Sequence, residues 1–306
     1  MKVLFVSSGN LNKGRPSVLV KNQGDSLVDC DIEVAYFTIQ SKGLMGYLGA
    51  VRHILRTIKL KKPDCIHSHY SLTAFATSIA LILLRKKIPH IVSLMGSDTK
   101  IGGWKRTLTI HFSKSRWNHT IVKAESMAKE LGINNYNVIP NGVDMRKLKP
   151  ISSDNNLSVI FPADPSRESK NYNLAERAVS LVEESKPNLN FEICFGLKHA
   201  EIISKLQQSG VVLITSLWEG SPNIVKEAMV LNKPIVCTKV GDTELLLENV
   251  SGAFLVGFDV QEVANGIKKA IAFSQSESKS TGRMRIEELK LDSTSIAKRL
   301  INIYKS

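Results

Sequence analysis

Short apolar runs alternate with amphipathic stretches of helical period along most of the chain. The apolar runs predict strands at residues 2–7, 32–37, 65–67, 91–94, 157–161, 191–195, 211–214 and 235–238. The helical periods between and after them lie at residues 47–60, 72–84, 174–184, 199–208, 260–272 and 295–304. Buried strands that alternate with helices are typical of parallel sheets covered on both faces. The pattern therefore predicts an α/β fold with parallel, doubly wound sheets and binding sites at the carboxyl edges of the strands.

Composition narrows the class of protein. The four cysteines, Cys30, Cys65, Cys194 and Cys237, have no paired metal-ligand spacing, so we interpret them as reduced thiols. The chain opens on a strand pattern followed by polar residues, which does not predict a signal peptide. The longest apolar run, residues 72–84, is too short to span a bilayer and favours a buried helix. These features predict a cytoplasmic globular protein, peripheral on the inner face of the membrane if it meets a membrane at all.

Positive charge is concentrated in the first half of the chain. Residues 1–150 hold 23 Lys or Arg against 9 Asp or Glu, a net of +14, whereas residues 151–306 hold 18 against 19. An anionic partner should therefore meet the first half. Nucleic acid is disfavoured as that partner, because no recognition motif accompanies the charge.

Residues 215–243 contain the most informative pattern in the second half of the chain. The apolar run that ends at residue 214 predicts a strand, and Ser221 and Pro222 suit the N-cap and the first residue of a helix. The helix should run to Leu231, with Asn232 as its left-handed stop. The order is thus strand, loop, helix, strand.

Two carboxylates flank the predicted amino terminus of this helix. Glu219 lies in the loop and Glu227 lies within the helix. Helix amino termini bind phosphate, whereas carboxylates accept hydrogen bonds from hydroxyl groups. A nucleotide sugar matches this arrangement, since it has a ribose, a central diphosphate and a hexose.

The same stretch resembles the donor-site motif of the retaining family 4 glycosyltransferases. The matching residues are Glu219-Gly220-Ser221-Pro222, Glu227-Ala228-Met229, Lys233-Pro234-Ile235-Val236 and Val240-Gly241-Asp242, and the string from Asn137 to Asp144 resembles the family's end of the first domain. The resemblance implies the GT-B fold, with two facing Rossmann-like domains and a last helix that crosses back to the first. We expect an acceptor-side domain at residues 1–148, a donor domain at 149–290 and a terminal helix at 291–306.

The resemblance also implies the donor site. The expected catalytic residues are Glu219, Lys170 and Arg167. Glu219 is similar to the family's sugar-binding carboxylate, and Lys170 with Arg167 to the basic pair that stabilises the departing diphosphate, although solvated loop charges would explain the last two. The remaining expected donor contacts are Gly14, Gly220, Ser221, Pro222, Asn223, Ile224 and Glu227. Gly14 belongs to a weak form of the family's glycine-rich loop, and an ordinary loop explains it equally well.

On the acceptor side the resemblance points to His69 and Asp98. A pair of loop histidines is the alternative for His69, and a helix cap is the alternative for Asp98. Met95 stands where the family usually has a histidine, which puts a histidine-centred mechanism in doubt.

No cofactor and no metal are expected. The pattern Asp29-Cys30-Asp31 looks like a metal-binding D-x-D motif, but it precedes a strand in the wrong domain and is interpreted as a turn. The expected partners are a nucleotide sugar, a UDP-sugar above all, and a glycan or lipid-linked acceptor of envelope polysaccharide synthesis.

A basic and aromatic segment, residues 99–119, suggests contact with an anionic membrane. Inward packing of Leu108, Ile110 and Trp117 is the alternative. Two other functional classes stay open: another nucleotide-sugar enzyme, such as an epimerase or phosphorylase, and a catalytically silent nucleotide-sugar binding protein.

Overall fold

The structure, a computed structural model, describes residues 1–10, 14–41, 43–99, 102–151, 157–276 and 279–306. The residues outside this description include 11–13 before Gly14, 100–101 of the basic and aromatic segment, and 152–156 after the expected domain boundary. The chain divides into two units, one formed by Met1–Gly142 with Ser293–Ser306 and the other by Val143–Asp292.

The first unit contains a six-stranded parallel sheet. Its strands are β1 (Lys2–Ser8), β2 (Glu33–Ile39), β3 (Cys65–His69), β4 (His90–Ser93), β5 (His119–Val122) and β6 (Asn137–Val138), in the order β2-β1-β3-β4-β5-β6. Its helices are α1 (Val18–Val28), α2 (Gly43–Lys61), α3 (Ser71–Leu84), α4 (Gly96–Thr99), α5 (Gly103–Ser115) and α6 (Glu125–Leu131).

The second unit contains a five-stranded parallel sheet in the order β11-β10-β9-β7-β8. The strands are β7 (Ser158–Phe161), β8 (Asn190–Ile193), β9 (Val211–Ile214), β10 (Ile235–Thr238) and β11 (Ala253–Val256). The helices are α7 (Tyr172–Glu183), α8 (His199–Gln208), α9 (Asn223–Val230), α10 (Thr243–Leu247), α11 (Val260–Ser274) and α12 (Gly282–Glu288), and a short 3-10 helix covers Glu168–Lys170. The last helix, α13 (Ser293–Lys305), belongs to the first unit.

The inner strands of each sheet are buried beneath helices, as the apolar runs predict. In the first unit Val3 to Val6 of β1 are fully buried, and separate clusters form around Ile54 of α2 and around Met127 of α6. In the second unit α7 and α11 pack together over the strands. The α/β class and the parallel sheets are therefore confirmed. None of the helices in the described segments has the length and apolarity needed to cross a membrane.

Local contacts explain where the two units divide. Val143 pairs with Asp292, and the Arg283 guanidinium donates to the Leu148 carbonyl oxygen at 2.9 Å and to that of Met145 at 2.8 Å. Residues 143–148 therefore belong to the second unit, whereas the sequence places the boundary after residue 148.

The final helix α13 is fixed to the first unit. The Tyr304 hydroxyl lies 2.6 Å from His67 Nδ1, and Arg299 donates to the Val138 carbonyl oxygen. The chain thus returns to its first unit, as the resemblance implies.

Candidate donor site

The candidate site lies at the carboxyl edge of the second sheet, in the loop between β9 and α9. Thr215 donates its hydroxyl to the Asn171 carbonyl oxygen at 3.0 Å, and Thr238 donates to that of Ser216 at 2.7 Å. The loop is thereby tied to the segments after β7 and β10, the two neighbours of β9. Three consecutive strand ends therefore contribute to one site.

The helix of this site begins one residue later than expected. Pro222 occupies the N-cap position of α9 with extended backbone, and it makes no side-chain cap hydrogen bond. Ser221 is not the cap, because its hydroxyl instead accepts a hydrogen bond from the buried Lys226 ammonium at 3.0 Å. Asn232, in the left-handed conformation, ends the helix region as predicted. The amino terminus of α9 therefore faces the loop without a side-chain cap, as an anion-binding helix end should.

Lys170 and Glu219 form an ion pair at this edge. The Lys170 ammonium donates to Glu219 Oε1, and the Ser216 hydroxyl donates to the same oxygen at 2.9 Å. Both side chains are mostly buried, with 17% and 18% of their surface exposed. The sequence-predicted cation and carboxylate are thus brought together from loops 49 residues apart. Arg167, at the start of the 3-10 helix, is exposed.

The loop after β10 supports this arrangement through close backbone packing. Gly241 has φ +61°, and a Cβ at this position would lie 2.2 Å from the Gly220 carbonyl oxygen. The Asp242 amide donates to that same oxygen at 3.1 Å. Glycine is required at position 241 by both the left-handed backbone and the contact with residue 220.

Glu227 pairs with His199, a residue that the sequence interpretation missed. His199 Nε2 lies 2.8 Å from Glu227 Oε1, and the side chain of Glu227 is 12% exposed. The hydrogen bond to Glu227 raises the pKa of His199. The position of His199, at the start of the helix that follows β8, could have indicated it, because that helix also begins at the carboxyl edge.

This pair predicts a pH dependence of stability. The folded-state pKa of His199 is raised above its unfolded value, so the pair stabilises the second unit at acidic pH and loses that contribution as pH rises through the folded pKa. We expect His199→Gln to lose less than about 1 kcal/mol, since His199 is partly exposed, and to lose it chiefly below neutral pH. Denaturant unfolding at pH 5.5 and pH 8.5 measures this. An equal loss at both pH values would contradict the assignment.

Gly14 lies in the first unit, in the loop after β1. It has φ +82°, and its amide donates to the Gly9 carbonyl oxygen at 3.0 Å. A Cβ here would approach the Gln40 side chain to 2.6 Å. The position demands glycine for the turn itself, and its expected role toward the donor stays a prediction.

His69 is the last residue of β3 and is buried, not part of a loop. Its ring stacks on His67 with centroids 4.3 Å apart, and it packs against Phe5. Burial lowers its pKa to about 3, so the imidazole is neutral. Its Nε2 has no hydrogen-bond partner among the residues that the structure describes. The expected acceptor-side role of His69 stays a prediction.

Asp98 lies in α4 and binds backbone amides with both carboxylate oxygens. Oδ1 accepts from the Ser71 amide at 3.1 Å, at the start of α3, and Oδ2 accepts from the Met95 amide at 2.6 Å. Asp98 is fully buried, which raises its pKa to about 6. The helix cap, the alternative considered for this residue, accounts for both contacts.

The basic and aromatic segment is divided between core and surface. Trp117 is buried against Phe75 and Phe112, as the packing alternative expects. Trp104 at the start of α5 is 50% exposed, and Lys105 lies over its ring. The exposed face of α5 therefore carries basic charge together with one large aromatic side chain.

Comparison with known families identifies both halves of the chain. Residues 13–147 match the family described as Glycosyltransferase Family 4, and residues 169–272 match that described as Glycosyl transferases group 1. The chain carries the two domains of a GT-B glycosyltransferase.

Two curated relatives match most of the chain. It is 23% identical over 255 residues to the Bacillus subtilis glycosyltransferase TuaC, named for teichuronic acid biosynthesis, and the match covers 71% of this chain and 64% of TuaC. An uncharacterized glycosyltransferase of Methanocaldococcus jannaschii is also 23% identical, covering 69% of this chain and 66% of that protein. The chain thus spans just under two thirds of these relatives' lengths.

Solved structures share the fold over the whole chain. Anabaena HepE, crystallised with UDP, has a TM-score of 0.74 at 18% identity, and the match covers 99% of both chains. A UDP-GlcNAc 2-epimerase of Methanocaldococcus jannaschii has a TM-score of 0.60 at 13% identity, with 100% and 99% coverage. The fold of this chain is therefore shared with a protein crystallised with UDP and with a UDP-GlcNAc 2-epimerase.

Proposed function

We propose that the chain is a retaining glycosyltransferase that transfers a hexose from a nucleotide sugar, with UDP as the nucleotide. The observation that carries the proposal is the Lys170–Glu219 pair beside the uncapped amino terminus of α9. These groups lie where a phosphate needs positive charge and a sugar needs a hydroxyl acceptor. The match of residues 169–272 to a glycosyltransferase family and the UDP complex of HepE support this choice.

Each part of the donor has a partner in the second unit. Lys170, Arg167 and the backbone amides at the start of α9, residues 221–224, would bind the diphosphate. Glu219 would accept hydroxyl groups of the hexose. Glu227 would accept the ribose hydroxyls, with His199 orienting its carboxylate. The Lys170–Glu219 pair must loosen when the donor enters, because both partners are then needed by the ligand. No cofactor or metal is assigned a role.

The reaction would break the bond between the anomeric carbon and the β-phosphate oxygen. The bonding electrons pass to that oxygen, and the charge that develops on the diphosphate is stabilised by Lys170, Arg167 and the helix terminus. The acceptor hydroxyl attacks the anomeric carbon from the side the diphosphate leaves, which retains the configuration. The proton of the acceptor hydroxyl passes to the departing phosphate oxygen. This route needs no protein nucleophile, and it needs no basic side chain at position 95, where this chain has a methionine.

Donor specificity is tested by calorimetric titration with UDP-, GDP- and ADP-glucose. The proposal predicts measurable binding of the UDP-sugar, with weaker or no binding of the others.

Product analysis distinguishes a transferase from an epimerase. A transferase releases a new glycoside only when an acceptor is added, whereas an epimerase converts the donor sugar without one. Conversion of the donor in the absence of acceptor would favour the epimerase. No binding of any of the three would leave the proposal without support.

For the acceptor we propose a glycan or lipid-linked saccharide of envelope polysaccharide synthesis, presented at an anionic membrane surface. The name of TuaC and the positive charge of the first 150 residues support this choice. The proposed contact is the exposed part of α5 that carries Trp104 and Lys114, together with the half-buried Lys105, whose ammonium lies over the Trp104 ring.

Membrane contact predicts salt-dependent sedimentation with vesicles that contain phosphatidylglycerol. The change Lys105→Ser with Lys114→Ser should weaken this binding by about 30-fold, since each basic residue contributes about 1 kcal/mol. The matched control, Lys269→Ser with Lys298→Ser, removes two charges from other helices and should bind as the unchanged protein does. Vesicle binding that does not change with salt concentration would exclude this part of α5 as the contact. Equal losses of vesicle affinity in both double variants would exclude it as well.

A further inference from the structure

A buried lysine lies directly behind the candidate donor loop. Lys226, within α9, is 1% exposed, and its ammonium donates to the Ser221 hydroxyl at 3.0 Å. Removing an ammonium group from water is costly, so such a group is kept only where nearby negative charge offsets the cost. No sequence motif discussed above gives Lys226 a role.

The negative charge that stabilises the buried Lys226 ammonium comes mainly from Asp242, in the loop after β10. Burial lowers the pKa of Lys226 to about 8, and Asp242, followed by Glu227, opposes that fall by favouring the charged form. At neutral pH the group is therefore an ammonium. Burial in turn raises the pKa of Asp242, and both Ser221 and Lys226 oppose this rise. Lys226 and Asp242 thus form a charge pair with Ser221 between them.

Asp242 has a feature that singles it out among the three carboxylates of this site. Its Oδ1 is buried and has no hydrogen-bond partner among the described residues. Glu219, in contrast, is paired with Lys170, and Glu227 is paired with His199. The Asp242 backbone amide donates to the Gly220 carbonyl oxygen, and its carboxylate is hydrogen-bonded to Ser221, so Asp242 lies next to the loop that would receive a diphosphate.

An anion that approached this loop would therefore meet a buried carboxylate as well as the helix amino terminus. Like charges a few ångströms apart repel strongly where water is excluded. The negative charge of Asp242 must be balanced if the loop is to bind a diphosphate at all. Within the described residues around the loop, Lys226 is the buried cation that does so.

We propose that Lys226 is a positioning residue for donor binding, which neutralises Asp242 and holds the Ser221 hydroxyl behind the diphosphate loop. The inference rests on the proposed function, since it concerns the same loop. Lys226 does not touch the donor. It acts through Asp242 and Ser221, so its effect should fall on the diphosphate and not on the nucleoside.

Calorimetric titration of Lys226→Met with UDP and with uridine tests this role. UDP should bind about 10-fold or more weakly than to the unchanged protein, while uridine affinity should change by less than about threefold. Lys233→Met is the matched control. Lys233 is also buried in this unit, and burial likewise lowers its pKa to about 8, but its ammonium donates to the Ser209 carbonyl oxygen before β9, at the opposite edge of the sheet. That variant should bind both ligands normally.

A double variant distinguishes charge neutralisation from simple support of the loop. In Lys226→Met with Asp242→Asn, no buried charge of the pair remains, so UDP affinity should return to within about threefold of the unchanged protein. The same variant provides the test if Lys226→Met alone does not fold. Affinity that stays 10-fold low in the double variant would overturn the proposal, as would an equal loss of uridine and UDP in Lys226→Met.

The outcome for the unchanged protein separates this inference from the proposed function. If UDP, GDP and ADP all fail to bind the unchanged protein, the proposed function is wrong and the role of Lys226 falls with it. If the unchanged protein binds UDP and Lys226→Met binds it as well as Lys233→Met does, only the role of Lys226 is wrong.

Discussion

Lys170→Met is expected to lower the rate of sugar transfer by about 100-fold to 1000-fold, the loss seen when one preorganised donor to a developing negative charge is removed. Lys170 reaches the candidate site from the 3-10 helix after β7 and is held there by Glu219. Methionine keeps much of the side-chain volume but has no charge. The loss should appear in kcat measured at saturating donor, because the charge on the diphosphate is greatest in the transition state.

Two further variants separate a role in the reaction from a structural ion pair. Lys205→Met removes another lysine that is paired with a glutamate of the same unit, Glu192 on the edge strand β8, which is not a neighbour of β9, and should leave the rate unchanged. Lys170→Met combined with Glu219→Gln leaves no unpaired carboxylate behind. If this double variant regained most of the transfer rate, Lys170 would serve only to neutralise Glu219, and its proposed role toward the diphosphate would be wrong.

Gly241→Ala is expected to destabilise the second unit by about 2–5 kcal/mol, the combined cost of a left-handed alanine and of an overpacked contact. The added methyl would meet two carbonyl oxygens, those of Gly220 at 2.2 Å and Glu219 at 2.8 Å. Backbone atoms cannot rotate away as a side chain can. The loop that carries Glu219 must therefore shift, and we expect UDP affinity to fall together with the unfolding midpoint.

Gly196→Ala is the control for this change. Gly196 also has a left-handed backbone, with φ +75°, but a Cβ there would have no neighbour within 4 Å. Gly196→Ala should lower the free energy of unfolding only by the cost of a left-handed alanine, about 1–2 kcal/mol. Thermal unfolding of both variants gives the comparison. Equal losses would mean that the contact between the two loops contributes little.

The sequence predicted the strands and the helix stop around the candidate donor site because these elements depend on local patterns. The apolar runs gave β9 and β10 their observed bounds, and the turn at Asn232 is where the helix stop was expected. Lys170 and Glu219 could be paired in advance only through the family resemblance. Their contact depends on β7 and β9 being neighbours, which periodicity alone does not fix.

What could not be predicted depends on contacts between distant segments. Serine is a common N-cap residue, but the Ser221 hydroxyl accepts a hydrogen bond from the buried Lys226 ammonium, five residues later. Pro222 occupies the N-cap position instead. His199 was missed because its partner, Glu227, is brought to it only by the fold of the sheet. For Asp98 the sequence left a helix cap and an acceptor-side role open, because the Ser71 amide that its carboxylate binds is brought to it only by the fold.

The domain boundary shows the same limit. The polar stretch after residue 148 has the composition of a linker, and the sequence places the division there. Val143 and Leu148 are nevertheless held in the second unit by contacts with residues 283–292. A segment from the far end of the unit decides the boundary, and such long-range pairing leaves no local pattern.

We propose that the loop between β9 and α9, with Lys170 and Glu219, binds the diphosphate and the sugar of the donor. Calorimetric titration of UDP-glucose into the unchanged protein and into Lys170→Met, with Lys205→Met as control, tests it most directly. The proposed role of this loop predicts that UDP-glucose binds the unchanged protein and Lys205→Met, and that its affinity for Lys170→Met is at least about 10-fold weaker. UDP-glucose that bound all three proteins equally would contradict it.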